Sequence, residues 1–294
     1  MVNKLQYPSK RTGKKSELDI RPFLKWPGGK YRLLSRIRGV LRPGKRLIEP
    51  FAGSAAVSLN TDYDTYLLAD TNPDLIGLYR QLLEEGSAFI SYCRGFFDAR
   101  NNTGETYYAY RDEFNETRDA RRKSALFLYL NRHGYNGLCR YNAKGRFNTP
   151  FGRYDKPYFP EKEMLAFIRR APSITLQQAP FDVSMARARP GDVVYCDPPY
   201  IPLSETAHFT DYHTGGFTWK DQVRLADLAC ELAANQVQIV VSNHDTRHIR
   251  DLYTGRKAKI SCFNVRRTIS RDGKNRGEVG ELLAVFNPDF SSGR

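Results

Sequence analysis

Two short apolar runs near the start of the chain end on or beside an acid and pass at once into what reads as a helix start. Arg46-Leu47-Ile48-Glu49-Pro50 leads into the small residues of Phe51-Ala52-Gly53-Ser54. Tyr66-Leu67-Leu68-Ala69-Asp70 leads into Asn72-Pro73, a capping residue followed by the proline that suits a first helical turn. Runs this short and this apolar read as buried strands, and two strand–helix units in succession predict a parallel sheet. The pattern returns at residues 174–178, 192–197 and 238–243, the last preceded by an amphipathic helix over 221–232. Residues 259–265 and 281–286 follow without room between them for a long helix, which predicts an antiparallel hairpin at the sheet edge. The expected fold class is α/β.

Residues 85–165 differ in character. Aromatic and basic residues crowd there (Tyr107, Tyr108, Arg121, Arg122, Lys123), followed by an apolar helical stretch over 125–130 and a Gly- and Asn-rich segment over 131–142. This reads as an inserted, mainly helical domain with a hairpin. The expected layout is a basic arm over 1–20, a catalytic domain made of 21–84 and 166–294, and the insertion between its halves. Lys and Arg number 46 against 32 Asp and Glu, so the formal charge is 46 − 32 = +14, which fits nucleic acid, an anionic membrane or a solvated surface. No apolar run approaches the roughly 20 residues that cross a bilayer, and no signal-peptide pattern opens the chain, so a cytoplasmic protein without a membrane partner is expected. The five cysteines are scattered and form no C-x-x-C pair, which argues against disulfide scaffolding and a structural zinc site.

The most specific local pattern is Val193-Val194-Tyr195-Cys196-Asp197-Pro198-Pro199-Tyr200. An apolar strand delivers a carboxylate at its C-terminal end, where open α/β sheets bind ligands. Two prolines then remove backbone donors and fix the direction of the carbonyls, and a tyrosine ring follows. A carboxylate, a rigid carbonyl and an aromatic face are the parts that hold a planar amine: two acceptors for its hydrogens and a π surface for its ring.

Asp197-Pro198-Pro199-Tyr200, the F-x-G-S-A motif from Phe51 to Ala55, and Phe23-Leu24-Lys25-Trp26-Pro27-Gly28-Gly29-Lys30 resemble the catalytic, cofactor and N-terminal motifs of the α group of amino-methyltransferases. With residues 131–154 and Val241-Ser242-Asn243-His244-Asp245, the chain resembles the Dam family of DNA adenine N6-methyltransferases over about 23–287, nearly its whole length. The resemblance implies a class I S-adenosylmethionine-dependent methyltransferase fold, a Rossmann-like sheet with a reversed last strand. It also implies S-adenosyl-L-methionine as methyl donor, S-adenosyl-L-homocysteine as product, and double-stranded DNA as substrate. Metal is not expected, and the enzyme is expected to be monomeric.

On that resemblance, Asp197, Pro198, Pro199 and Tyr200 are catalytic. The Asp197 carboxylate and Pro198 carbonyl accept the amine hydrogens, and Tyr200 stacks on a target base flipped from the duplex. Trp26, Gly28, Lys30, Phe51, Gly53, Ser54, Asp70, Phe181, Asp182 and Asp197 line the cofactor site, with Asp70 on the ribose hydroxyls and Phe181-Asp182 against the adenine. Ala55 departs from the pattern, standing where many relatives carry a second glycine. Arg140 matches a reader of guanine, Leu138 and Pro150 contacts to a thymine methyl, Tyr154 a residue at the outer base pair, Tyr135 and Asn136 residues inserted beside the flipped adenine, and Lys25 a second guanine contact, so that GATC is the expected site. Residues 201–220, with Ser204, Thr206, Phe209, Thr210 and Tyr212, resemble a lid. Arg266, Arg267, Arg271, Lys274 and Arg276 form a basic turn suited to phosphates. Related D-P-P-Y motifs also serve enzymes that act on RNA or on glutamine, and a catalytically idle DNA-binding relative is the alternative of another class. The sequence leaves open a solitary role or one beside a restriction endonuclease.

Overall fold

A computed structural model describes residues 19–200, 216–266 and 278–288. Most of the expected arm, residues 201–215 of the expected lid and the turn from Arg267 to Arg276 lie outside the described residues. The elements in order are α1 (Leu34–Val40), β1 (Arg46–Glu49), β2 (Thr65–Asp70), α2 (Pro73–Glu85), α3 (Ser87–Arg94), α4 (Gly104–Glu116), α5 (Ala120–His133), α6 (Glu161–Ile168), β3 (Ile174–Gln178), α7 (Phe181–Met185), β4 (Val193–Cys196), α8 (Trp219–Ala234), β5 (Gln238–His244), α9 (Arg247–Thr254), β6 (Lys259–Arg266) and β7 (Glu278–Phe286). The strands form one sheet in the order β3-β2-β1-β4-β5-β7-β6. β1 to β5 pair in parallel, and β7 runs antiparallel between β5 and the edge strand β6. This is the expected class I methyltransferase sheet with its reversed last strand.

Side chains alternate between two apolar layers, as strand geometry requires. Leu47, Tyr66, Leu68, Val193, Tyr195, Val240 and Leu283 pack with α1, α2 and α5. Ile48, Leu67, Val194, Cys196, Val241 and Leu282 pack on the other face with α8 and α9. Helices cover both faces, which is why the strands read as continuous apolar runs. The first layer runs unbroken into residues 85–165 through Tyr107, Phe114, Phe127 and Phe147.

One local expectation is corrected. The small residues after β1 do not start an α-helix, because the chain turns there with Gly53 at φ 46° and Ala55 at φ 55°, and only a short 3-10 turn (Ser58–Asn60) forms. The left-handed φ values break the helical path, and the Ser58 N–H and hydroxyl are taken by the side chain of Glu49. The Gly- and Asn-rich segment folds back on itself as an antiparallel loop held by two isolated bridges, Gly134 with Phe151 and Tyr141 with Phe147. Asn142 accounts for the loop tip: its side-chain oxygen accepts from the N–H groups of Lys144 and Arg146, an alternative to strand pairing.

This loop is fastened to the N-terminal segment by Asn131, a fully buried amide at the end of α5. Its oxygen accepts from Lys25 N at 2.9 Å, and its nitrogen donates to the carbonyls of Lys25 at 2.7 Å and Gly137 at 3.2 Å. Gly137, at φ 64°, has no room for a side chain, since a Cβ there would lie 2.3 Å from Lys25 Cβ. Replacing Asn131 by Ala leaves a buried donor and two acceptors unpaired. The expected outcome is a loss of about 2–3 kcal/mol of unfolding free energy, read by denaturant titration; a loss near zero would show that the clamp is dispensable.

Candidate functional site

The parallel strands deliver their C-terminal residues to one edge, where Glu49, Asp70 and Asp197 follow β1, β2 and β4. The segment 23–30 crosses this edge. Lys30, almost fully buried, places Nζ 2.9 Å from Asp197 Oδ1 and 2.9 Å from the Gly28 carbonyl, and 4.7 Å from the centre of the Tyr200 ring. Burial alone would lower the Lys30 pKa. The Asp197 carboxylate, with smaller contributions from Tyr195 and Glu281, more than offsets it and raises the value above that of an ordinary lysine. Ser242 also donates to Asp197 Oδ1, at 2.9 Å. Pro198 is buried and Pro199 exposed, and the Tyr200 ring meets the edge of His244 at 4.3 Å between centroids. Burial, then the Asp197 charge, pushes the Tyr200 phenol well above its usual range, so Tyr200 is a neutral ring at any working pH.

Beside this pair lies a cradle. Asp70 accepts from Gly53 N at 3.1 Å and from Asn72 N at 2.9 Å, and burial raises its pKa against the pull of those N–H groups. The Gly53 backbone lies against the Trp26 indole, and a Cβ at Gly53 would sit 2.9 Å from Trp26 Nε1. Tyr79 donates to the Gly53 carbonyl at 2.5 Å. Phe51 stacks on Phe181 at 5.5 Å, and Ser54 is buried in the turn. Asp182 is tied to Arg224 at 2.7 Å.

The residues expected to touch DNA gather around the 134–154 loop and Lys25. The Lys25 ammonium sits 4.0 Å over the Tyr154 ring, whose hydroxyl accepts from Asn136 N at 2.9 Å. Burial, with a smaller contribution from Arg132, lowers the Lys25 pKa to about 8. Tyr135 is half exposed and its N–H is bonded to the Pro150 carbonyl, while the Leu138 carbonyl accepts from Thr149. Arg140 is exposed, and its guanidinium is fixed by Asn148 through Nε at 2.7 Å and Nη2 at 3.0 Å. Asn148, Asn131, Glu49 and Ser242 were not singled out as site residues by sequence. The available signals were a polar residue within an apolar helix or strand for the last three and none for Asn148. Among the described residues, no group of three or more His, Cys, Asp or Glu is arranged to hold a metal ion, and no helix is long and apolar enough to cross a membrane.

This strand order, with acids closing β1 and β2 and D-P-P-Y after β4, defines a class I methyltransferase. Residues 26–269 match the family model of the D12 class N6 adenine-specific DNA methyltransferases. A DNA adenine methylase from Vibrio cholerae is 50% identical over 273 residues, covering 92% of this chain and 98% of its own length. One from Escherichia coli K12 is 49% identical over 272 residues, covering 92% and 97%, and one from Serratia marcescens is 49% identical over 267 residues, covering 90% and 98%. Among solved structures, a precorrin-6y C5,15-methyltransferase from Geobacter metallireducens aligns over 88% of this chain and 86% of its own at 12% identity, with a TM-score of 0.38. The chain belongs to the D12 class of N6 adenine-specific DNA methyltransferases, and its substrate is DNA.

Glu49 lies fully buried under the turn at Gly53, and burial, against the pull of the Ser58 hydrogen bonds, raises its pKa from 4.5 to about 7. A raised carboxyl pKa favours folding while the group is protonated, so that contribution is full below pH 4.5 and is lost as pH rises through about 7. Glu49→Gln keeps an acceptor for Ser58 and cannot ionise. At about 1.4 kcal/mol per pH unit, its stability relative to wild type is expected to rise by about 2–3 kcal/mol between pH 5 and pH 8 in denaturant titrations; a pH-independent difference would refute the assignment.

Proposed function

We propose that this enzyme transfers a methyl group from S-adenosyl-L-methionine to N6 of adenine in duplex GATC, after flipping the base from the helix. The observation that carries the reading is the Asp197 carboxylate, paired with the buried Lys30 ammonium at 2.9 Å beside the rigid Pro198-Pro199 turn and the Tyr200 ring. The cofactor cradle fits an adenosine. A backbone at Gly53 that tolerates no side chain leaves close access, the Asp70 oxygens have lone pairs left over from their backbone partners for the two ribose hydroxyls, and the Phe51–Phe181 stack offers an aromatic wall. Trp26, Gly28, Lys30 and Ser54 would complete the site. The bound cofactor supplies an electrophilic methyl group on a sulfonium.

An adenine amine is a weak nucleophile because its lone pair is delocalised into the ring. Asp197 and the Pro198 carbonyl accept its two hydrogens, which localises the lone pair and aims it. Placement of this kind contributes several kcal/mol to lowering the barrier. Tyr200, uncharged and braced by Lys30 and His244, supports the ring of the flipped base. Unstacking costs a few kcal/mol, which the insertion of Tyr135 and Asn136 offsets. Residues 85–165 act as the reading part, with Arg140 and Lys25 on the guanines, Leu138 and Pro150 on a thymine methyl and Tyr154 at the outer pair. The fixed Arg140 fork suits the paired acceptors O6 and N7 of guanine.

The test is incubation of the protein and labelled cofactor with plasmid, followed by endonucleases that are blocked by, or depend on, adenine methylation at GATC. Protection and labelling of DNA are expected, with Asp197→Ala inactive while still binding cofactor and duplex; label on RNA or protein instead, or turnover by Asp197→Ala, would sink the reading. Arg140→Ala is expected to relax discrimination at the first base pair by about 10–100-fold in kcat/KM, equivalent to about 1–3 kcal/mol. A uniform loss on all sequences would instead mark Arg140 as a phosphate contact.

A further inference from the structure

Val241-Ser242-Asn243-His244-Asp245 carries part of the family resemblance without a stated chemical role, and the geometry around it supplies one. Successive residues of β5 point to opposite faces. Asn243 turns away from the catalytic motif and donates to Gln222 Oε1 at 3.0 Å, and Gln222 in turn donates to the Tyr253 hydroxyl at 2.6 Å, which locks α8 and α9 together. Ser242 and His244 turn toward the catalytic motif. The Ser242 hydroxyl is fully buried and has three partners: Asp197 Oδ1 at 2.9 Å, the Tyr195 hydroxyl at 3.2 Å and the Tyr200 hydroxyl at 3.3 Å. A serine hydroxyl has one proton and two lone pairs. With the Ser242 proton given to Asp197, Tyr195 donates into Ser242, and the Tyr200 hydroxyl is within hydrogen-bond reach of both Ser242 and Asp197.

Lys30 and Ser242 both engage Oδ1 of Asp197. One contact leaves a carboxylate able to swing about it, whereas two contacts from different strands and segments fix its plane. Neither contact uses Oδ2. We propose that Ser242 is a positioning residue for methyl transfer: it fixes the carboxylate plane so that Oδ2 meets the adenine amine, and through the same hydroxyl it sets the tilt of the Tyr200 ring. The proposal rests on Asp197 accepting the amine, as argued above. Tyr195, rising from β4 beneath the site, keeps the Ser242 proton directed at Asp197 by occupying one of its lone pairs.

Steady-state and single-turnover kinetics on a GATC duplex test this with Ser242→Ala, Ser242→Thr, Tyr195→Phe, the double variant Ser242→Ala/Tyr195→Phe and Asp197→Ala. Ser242→Ala is expected to lower kcat about 10–100-fold while KM for DNA and for the cofactor stays within about threefold, since misplacement of the acceptor affects the chemical step. Ser242→Thr, which keeps the hydroxyl, recovers most of the rate. Tyr195→Phe is slowed less than Ser242→Ala, and the double variant is no slower than Ser242→Ala alone, because both act through one hydrogen bond. The proposal is overturned if Ser242→Ala keeps kcat within about twofold, if its loss lies only in KM, or if Thr and Ala are equally slow. Should Ser242→Ala fail to fold by circular dichroism, Ser242→Cys, close in volume and a weak donor, replaces it under the same criteria. Turnover by Asp197→Ala would overturn the role of Asp197 itself; an inactive Asp197→Ala beside an unimpaired Ser242→Ala overturns only the role of Ser242.

Discussion

The Lys30–Asp197 ion pair joins everything that the chemistry needs. The buried Lys30 ammonium pays for its desolvation with its attraction to the partly exposed Asp197 carboxylate, so the pair adds little net stability, but removing the carboxylate strands a buried charge at a cost of about 3–5 kcal/mol. The pair therefore acts less as glue than as a locator. It holds the segment 23–30 against the end of β4, and that segment carries Trp26, against Gly53, and Lys25, at the foot of the 134–154 loop. One stretch of eight residues thus faces the proposed methyl donor, the proposed methyl acceptor and the proposed base reader.

Two kinds of polar burial surround it. Asn131 and Ser242 are each tied by three hydrogen bonds to nearby partners, which makes them rigid points. Glu49 and Asp70 are carboxyls whose pKa values burial raises, and both lie under or beside the turn at Gly53. Rigid amides and hydroxyls set geometry, while the acids set the field around the cradle. The 134–154 loop is built differently. Its tip is held by Asn142 bonding its own backbone, and Arg140 is braced by Asn148, so the proposed readers stand on local contacts while the loop base is clamped to the core.

Much of the architecture was legible because it follows from parity. Leu47 and Ile48, Tyr66 and Leu67, and Val193 and Val194 face opposite layers, so apolar runs of this length had to be strands covered on both sides. The reversed hairpin at the edge followed from the shortness of its connection. The turn after β1 was misread as a helix because small residues suit both, and the left-handed φ of Ala55 is invisible in its side chain. The fold-back over 131–151 followed from its Gly- and Asn-rich composition, but the bonds that Asn142 makes to its own backbone at the tip are settled only once the loop closes. Arg140, Tyr154 and Lys25 were singled out by resemblance and meet around one loop, whereas Asn148 offered no signal, since any loop asparagine looks alike until its neighbour across the loop is known.

The sequence by itself determined the element order, the acids that close the first two strands, the carboxylate–proline–tyrosine motif and the family. Each is local, encoded in spacing and residue type within a few positions. Only the tertiary structure decided which residues share Asp197. Lys30, Asp197 and Ser242 come from three distant parts of the chain, and their meeting at 2.9 Å depends on parallel register between β4 and β5 and on the path of 23–30 over the sheet edge. Side-chain alternation settles which face a residue takes, but sheet order and register settle whom it meets there. For that reason the place of Ser242 beside Asp197 could not be read from its strand alone.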